Sequence, residues 1–220
     1  MHYIIHACED RLWYVQEYLI PSMIDQNIQE DEISVYTDNH CLGNLEACMR
    51  IFNSITADNN NSWHIQDDVI ISSKFREKTF ELNSTQQIIC GFSSVCDKTG
   101  AGQTDSKHMW WSFPCIMIPN KIAKACGEWW YSDDVQNSKE YQFYMRQRKF
   151  DDLIFKIFLE QYYADYPVLN LAPNIVNHID WLIGGSKANR IRGQERIMSL
   201  YWDEDELIVN LEKELKYAGR

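Results

Sequence analysis

Apolar and polar positions follow two different periods along this chain, and the places where one gives way to the other mark out its elements. Residues 2–7 are almost continuously apolar, the pattern of a strand covered on both faces. Asp10 is placed to cap a helix, with Leu12, Val15 and Leu19 on one stripe until Pro21 interrupts it. Residues 33–36 predict a second strand that runs out into Thr37, Asp38 and Asn39. Gly43 and Asn44 then open a helix in which Leu45, Cys48, Met49, Phe52 and Ile55 keep the helical period. After a turn at 58–62, residues 63–65 predict a third strand that leads straight into Gln66, Asp67 and Asp68. Strand, helix, strand, helix and strand with short connections predict parallel, right-handed crossovers. The expected class is therefore α/β, Rossmann-like, with a mostly parallel central sheet between helices.

Beyond residue 71 the pattern continues with a strand at 87–92, a polar, glycine-containing loop at 97–107, and a strand at 113–118 stopped by Pro119. Asn120 is positioned to cap a helix carrying Ile122, Cys126, Trp129 and Trp130. Asp151 starts another, with Leu153, Ile154, Ile157 and Phe158 inward. A late strand is expected at 168–171, and Pro173-Asn174 leads into Ile175-Val176-Asn177-His178. Residues 203–217 read as an amphipathic helix with Leu207, Leu211 and Leu215 on one face and acids in the first turn, where the helix dipole favours them. There is no internal repeat, low-complexity stretch or linker, so residues 1–220 read as one domain.

Composition narrows the function classes. With 45% hydrophobic and 13% aromatic residues, 220 residues can bury a substantial core, which excludes a disordered chain. No apolar run is long enough to span a bilayer. The opening MHYIIHACED lacks the basic start of a secretory leader. A formal charge of −11 repels nucleic acid, whose binding draws on Lys and Arg at phosphates. Basic residues gather only at 146–149 and 187–196, enough to hold a small anion. Seven Cys, an odd number without a CxxC pair, suit a reducing cytoplasm.

The segment WHIQDDVIIS, residues 63–72, carries the most chemistry. Adjacent carboxylates at the carboxyl end of a buried strand are costly unless a cation compensates them, and that end of an open α/β sheet is where ligands bind. A hard divalent cation shared with substrate phosphates meets both constraints. The alternative is that Asp67 and Asp68 only cap a turn.

Here the chain resembles the nucleotide-sugar-dependent glycosyltransferases of the GT-A fold, of the bacterial and phage lipopolysaccharide type. HACEDRLWYVQEYLIPSM, YTDNHCLGNLEACMRIF and WHIQDDVIIS look like their nucleotide-binding half, within residues 1–72. FPCIMIPNKIAKAC, FDDLIFKIFLEQYY and APNIVNHIDWLIGGS look like the acceptor side and the C-terminal metal and diphosphate segment, within 73–220. The resemblance implies transfer of a sugar from a nucleotide sugar, a UDP-sugar being the expected donor, to a carbohydrate or other hydroxyl acceptor, assisted by Mn2+ or Mg2+. Gln66-Asp67-Asp68 matches the family's DxD-type triplet, making Asp68 the implied metal ligand with Asp67 beside it; Gln66 departs from the usual acid. His178 matches the second metal ligand, against the alternative of a hydrogen-bonded core histidine. His6 is a further histidine near the presumed site.

Ala7, Arg11 and Asp38 match positions that hold base and ribose, Arg11 having the alternative of an i,i+4 pair on its own helix. Asn44, with Gly43, offers N–H groups to an anion or simply starts a helix. Asp151 and Asp152 match the acceptor-side carboxylate: Asp152 is taken as the base and Asp151 as helix cap or acceptor ligand. Trp110 and Trp111 are candidates for stacking on a sugar or for the core. Lys187, with Gly184, Gly185, Ser186, Arg190 and Arg192, would close over the diphosphate, or form a solvated turn. Two other function classes remain: a metal-dependent phosphoryl or nucleotidyl transferase using the same carboxylates, and a non-catalytic nucleotide-sugar-binding relative.

Overall fold

The computed structural model describes residues 1–39, 42–92, 102–105, 113–147, 150–184 and 202–219. Its strands are β1 (His2–Cys8), β2 (Ile33–Asp38), β3 (Asn61–Gln66), β4 (Val69–Ile71), β5 (Ile88–Cys90), β6 (Gly102–Asp105), β7 (Cys115–Pro119), β8 (Pro167–Asn170) and β9 (Val176–His178). Seven form one sheet in the order β2-β1-β3-β7-β5-β8-β6, and β4 pairs separately with β9. β1 lies parallel to β2 and β3, and β5 parallel to β8. β7 runs against β3 and β5, and β6 runs against β8. Five strands therefore share one direction and only β6 and β7 oppose it, so the expected mostly parallel α/β sheet is present.

The near-continuous apolar runs of the strands reflect burial on both faces. Alternate residues of β7 divide between two cores: Cys115 and Met117 pack with Tyr3, Ile5 and Trp63, while Ile116 and Ile118 pack with Phe52, Ile122 and Phe155. The first core lies under the helical stretch after β1 and the helix Asp205–Tyr217. The second lies under the helices Asn44–Ser54, Asn120–Trp130 and Asp151–Tyr162. Two of those helices meet at Gly127, where an added Cβ would stand 2.7 Å from Asn53 Cα and 2.8 Å from the Phe52 carbonyl carbon. Only a residue without a side chain permits that approach.

Several local expectations are corrected. Pro21 does not end the first helix. The chain widens into a π-type turn over Val15–Leu19 and continues through Ile20–Asp25, because a proline has no N–H to offer the preceding turn. Asn120 is the first helical residue rather than the cap; its side chain instead accepts from the Ser62 hydroxyl at 2.6 Å and donates to Asp58 at 2.8 Å. Residues 102–105, read as loop, form the edge strand β6, held by backbone pairing to β8 that side-chain pattern does not report. The last helix buries Ile208 with Leu211 and Leu215, not Leu207. The remainder of the 97–107 loop, Trp110 and Trp111, and residues 185–201 lie outside the described residues.

Candidate active site

β1, β2 and β3 end side by side. His6 is in register with Gln66, and Cys8 with Asp38, so the residues that follow each strand converge on one rim. A cavity of about 270 Å³ opens there, at the end of the sheet where α/β proteins bind ligands. Asp67 and Asp68 line it, 5% and 7% exposed, with Arg11 between them. The Arg11 guanidinium donates to Asp67 Oδ1 at 2.8 Å and to Asp68 Oδ2 at 2.5 Å. Asp67 Oδ2 accepts the backbone N–H of Cys8 at 2.6 Å, which ties the β1 turn to the end of β3. Arg11 thus bridges the acidic doublet; the i,i+4 pair on its own helix is not its role.

The far end of the chain arrives through the small β4–β9 sheet. Val69 pairs with His178, and the Ile179 N–H donates to the Asp68 carbonyl at 2.8 Å. This ladder sets His178 Nε2 3.2 Å from Asp68 Oδ2, while Nδ1 lies 3.4 Å from Asp180 Oδ1. The second contact is close in distance without the alignment of a hydrogen bond. Burial pushes the Asp68 carboxyl up, but His178 and Arg11 outweigh it and hold the group well below the usual carboxylate range. Asp67 goes the other way, raised by burial and by the charge of Asp68. Burial disfavours the charged form of His178, yet the Asp68 carboxylate beside it raises its pKa.

Asp151 faces the same cavity from the start of its helix, while Asp152, chosen as the base from sequence, does not line it. Nor does either acid cap the helix. Phe150 occupies the cap position with φ 72°, and Asp152 Oδ1 accepts the Leu153 N–H at 2.7 Å. Burial pushes Asp151 up to about 6, with the Asp68 charge adding to it and helix-start N–H groups and the Gln66 amide opposing. Burial and then the Asp151 charge push Asp152 up to about 7. Desolvation therefore outweighs the stabilisation that a helix start gives these carboxylates.

The other predicted residues fall as follows. Ala7 and Asn44 line the cavity. Asp38 does too, but its two oxygens also accept the N–H groups of Leu42 and Gly43 at 2.9 and 3.0 Å, so the Gly43 N–H is spent within the turn. His6 pairs with His64, ring nitrogens 3.0 Å apart, and burial pushes its pKa down to about 4. Lys187, Arg190 and Arg192 lie outside the described residues. One contributor escaped the sequence reading: Asp180, 3.4 Å from His178 Nδ1, whose faint signal is its i,i+2 spacing from that histidine.

Among the described residues no group of three or more His, Cys, Asp and Glu converges as a metal cage. Asp68 and His178 nevertheless suit a shared hard cation. Asp68 Oδ1 is buried without a hydrogen-bond partner, a carboxylate oxygen of the kind a hard cation takes, and His178 Nε2 lies beside the same carboxylate, 3.2 Å from Oδ2. Among the described residues Glu9, Asp10, Asp38, Asp67, Asp68 and Asp151 line the cavity against the guanidinium of Arg11, a negative lining in which a cation would be favoured.

No helix among the described residues is long and apolar enough to cross a membrane. No protein-family description and no curated protein matches the chain. Solved structures do. A candidate glucose-1-phosphate thymidylyltransferase from Bacillus anthracis matches over 81% of this chain and 89% of its own, at 11% identity and TM-score 0.45. The galactosyltransferase LgtC matches over 78% and 73%, at 12% identity and TM-score 0.44. The glycosyltransferase GlyE of Streptococcus pneumoniae matches over 77% of this chain and 44% of its own, at 11% identity and TM-score 0.43.

Proposed function

We propose that this protein is a glycosyltransferase that moves a sugar from a nucleoside-diphosphate sugar to an acceptor hydroxyl, assisted by Mn2+ or Mg2+. The observation that carries the reading is the meeting of Asp68 and His178, distant in sequence, at 3.2 Å beside a cavity at the carboxyl ends of β1, β2 and β3. Asp68 and His178 would hold the cation, which when bound supplies Lewis-acid stabilisation to the departing diphosphate.

The chain's own residues do the rest. Asp67 keeps Arg11 in place, and Arg11 offsets part of the negative charge that the diphosphate meets. Ala7 leaves room at the β1 turn for close approach, and Asp38 and Asn44 flank the nucleotide on the β2 side. Asp151 replaces Asp152 as the general base. It faces the cavity, and a carboxylate with a pKa near neutrality accepts the proton of an acceptor hydroxyl better than an ordinary one. That role applies to transfer with inversion; in a retaining course Asp151 orients the acceptor.

The test is incubation with a panel of nucleotide sugars and Mn2+, with product analysis. Release of a nucleoside diphosphate is expected, abolished in Asp68→Ala and reduced roughly 10²–10⁴-fold in Asp151→Asn. Release of pyrophosphate or inorganic phosphate would move the assignment to nucleotidyl or phosphoryl transfer. Absence of turnover, with no rise in melting temperature on adding any nucleoside diphosphate and Mn2+, would leave no enzyme reading standing.

A further inference from the structure

Where β1 and β3 begin, at the other end of those strands from the candidate active site, lies a second cavity of about 650 Å³. Tyr36 is the one residue that lines both. Sites that take a small ligand run from roughly 300 to 1,000 Å³, so this one is of ordinary size. Its walls are rich in side-chain amides and hydroxyls, among them Asn59, Asn61, Asn83, Gln86, Ser54 and Ser84, and no Lys or Arg lines it among the described residues. Part of the wall is fixed in advance. Ser62 Oγ donates to Asn120 Oδ1 at 2.6 Å, and Asp58, the carboxylate of the lining, accepts from Asn120 Nδ2 at 2.8 Å and from Asn60 Nδ2 at 2.6 Å. Another part is unsatisfied. Asn61, 4% exposed, spends its Nδ2 on the carbonyls of Asn83 and Thr85 at 2.6 and 2.9 Å, while its Oδ1 has no hydrogen-bond partner; the buried Oδ1 of Asn83 has none either. Buried acceptors without a donor are uncommon and costly, and a ligand that brings hydroxyl groups into the cavity supplies such donors.

We infer that this cavity is a second binding site, for a short neutral saccharide, remote from the transfer centre. Sugar hydroxyls both donate and accept, as side-chain amides do, so a wall of amides matches them at either end of the hydrogen bond. Tyr36, 42% exposed, and Ile55 give the lining an apolar patch for the C–H face of a ring. An anionic ligand would meet Asp58 without a Lys or Arg to pair with, the Met1 amino group lying 3.8 Å from Glu32. The inference goes beyond the transfer reaction proposed above and does not depend on it.

The test is 1H–15N NMR of the full chain titrated with lactose, maltotriose and N,N′-diacetylchitobiose, each to about 50 mM, and with sialyllactose as the anionic comparison. Saturable shifts are expected at Asn83, Ser84 and Gln86 with at least one neutral sugar, and binding about ten-fold weaker in the double variant Asn83→Ala, Gln86→Ala. Asn83→Ala keeps the backbone carbonyl that holds Asn61, and Gln86 is exposed, so the melting temperature should be unchanged. Should Asn83→Ala lower it, Gln86→Ala alone carries the comparison. No shift with any neutral sugar, shifts confined to the carboxyl ends of β1 and β3, binding that survives the substitutions, or tighter binding of sialyllactose each overturn the inference. Neither substituted residue lines the active site, so nucleoside-diphosphate release should match wild type in the double variant; wild-type protein that binds the sugar here but releases none removes the transfer reading and leaves this site standing.

Discussion

Replacing Arg11 with Met takes the positive charge from between two buried carboxylates and leaves a side chain of similar length. In the native protein the side chains of Arg11, Asp67 and Asp68 are 7%, 7% and 10% exposed, so solvent does little to screen them. Removing one partner of such a buried pair typically costs about 3–5 kcal/mol, because the remaining charge has lost both water and counter-ion. For a chain of this size that corresponds to a fall in Tm of about 6–20 °C. The pH dependence gives the sharper test. Without Arg11 the Asp67 carboxyl loses the charge that opposes its rise, while His178 still faces Asp68, and the penalty for ionising Asp67 vanishes as it takes up a proton. The variant should therefore be far weaker than wild type at pH 8 and much closer to it at pH 5. Urea unfolding at the two pH values, followed by far-UV circular dichroism, measures both numbers. A loss below about 1 kcal/mol at pH 8, or an equal loss at both, would mean that the ion pairs of Arg11 do not hold the doublet.

Further outcomes follow from the packing and from the second pair of acids. Gly127→Ala should destabilise by about 1–3 kcal/mol despite its better helix propensity, since the new methyl meets the backbone of Asn53 and Phe52 rather than a movable side chain; calorimetry checks it, and an unchanged Tm contradicts the close approach. Asp151 and Asp152 have folded pKa values raised to about 6 and about 7. Their protonated forms favour the fold fully below the unfolded value near pH 4, and that contribution is lost as pH rises through the folded values. Asp152→Asn should therefore gain stability relative to wild type by about 2 kcal/mol between pH 5 and pH 8, and a constant difference across that range would refute it.

Much of the fold was legible because its causes are local. The runs 2–7 and 113–118 are apolar at every turn of the pleat, and the helix from Asn44 repeats its apolar positions at the spacing a buried face requires. The acidic doublet announced itself because carboxylates after a buried strand need a reason to be there. What was misread had causes elsewhere in the chain. β6 exists because β8 offers it hydrogen bonds. Pro21 is accommodated by a wider turn, and Ile208 rather than Leu207 goes inward because the core under the last helix is placed by other elements. In the site, the type of Asp151 and Asp152 was visible but not which of them faces the cavity, since a difference of one residue on a helix is a rotation of about 100° whose origin the tertiary packing fixes.

The sequence by itself determined the α/β order of the first three strands, the rim on which a ligand would sit, and the acids and histidine that give that rim its chemistry; periodicity and the cost of buried charge suffice for those. Only the tertiary structure decided that Arg11 lies between Asp67 and Asp68, that β4 and β9 bring His178 onto Asp68, and that Asp151 rather than Asp152 faces the cavity. These are contacts between residues distant along the chain. Their energies depend on separation and on the loss of solvent, and neither quantity exists until the elements have packed.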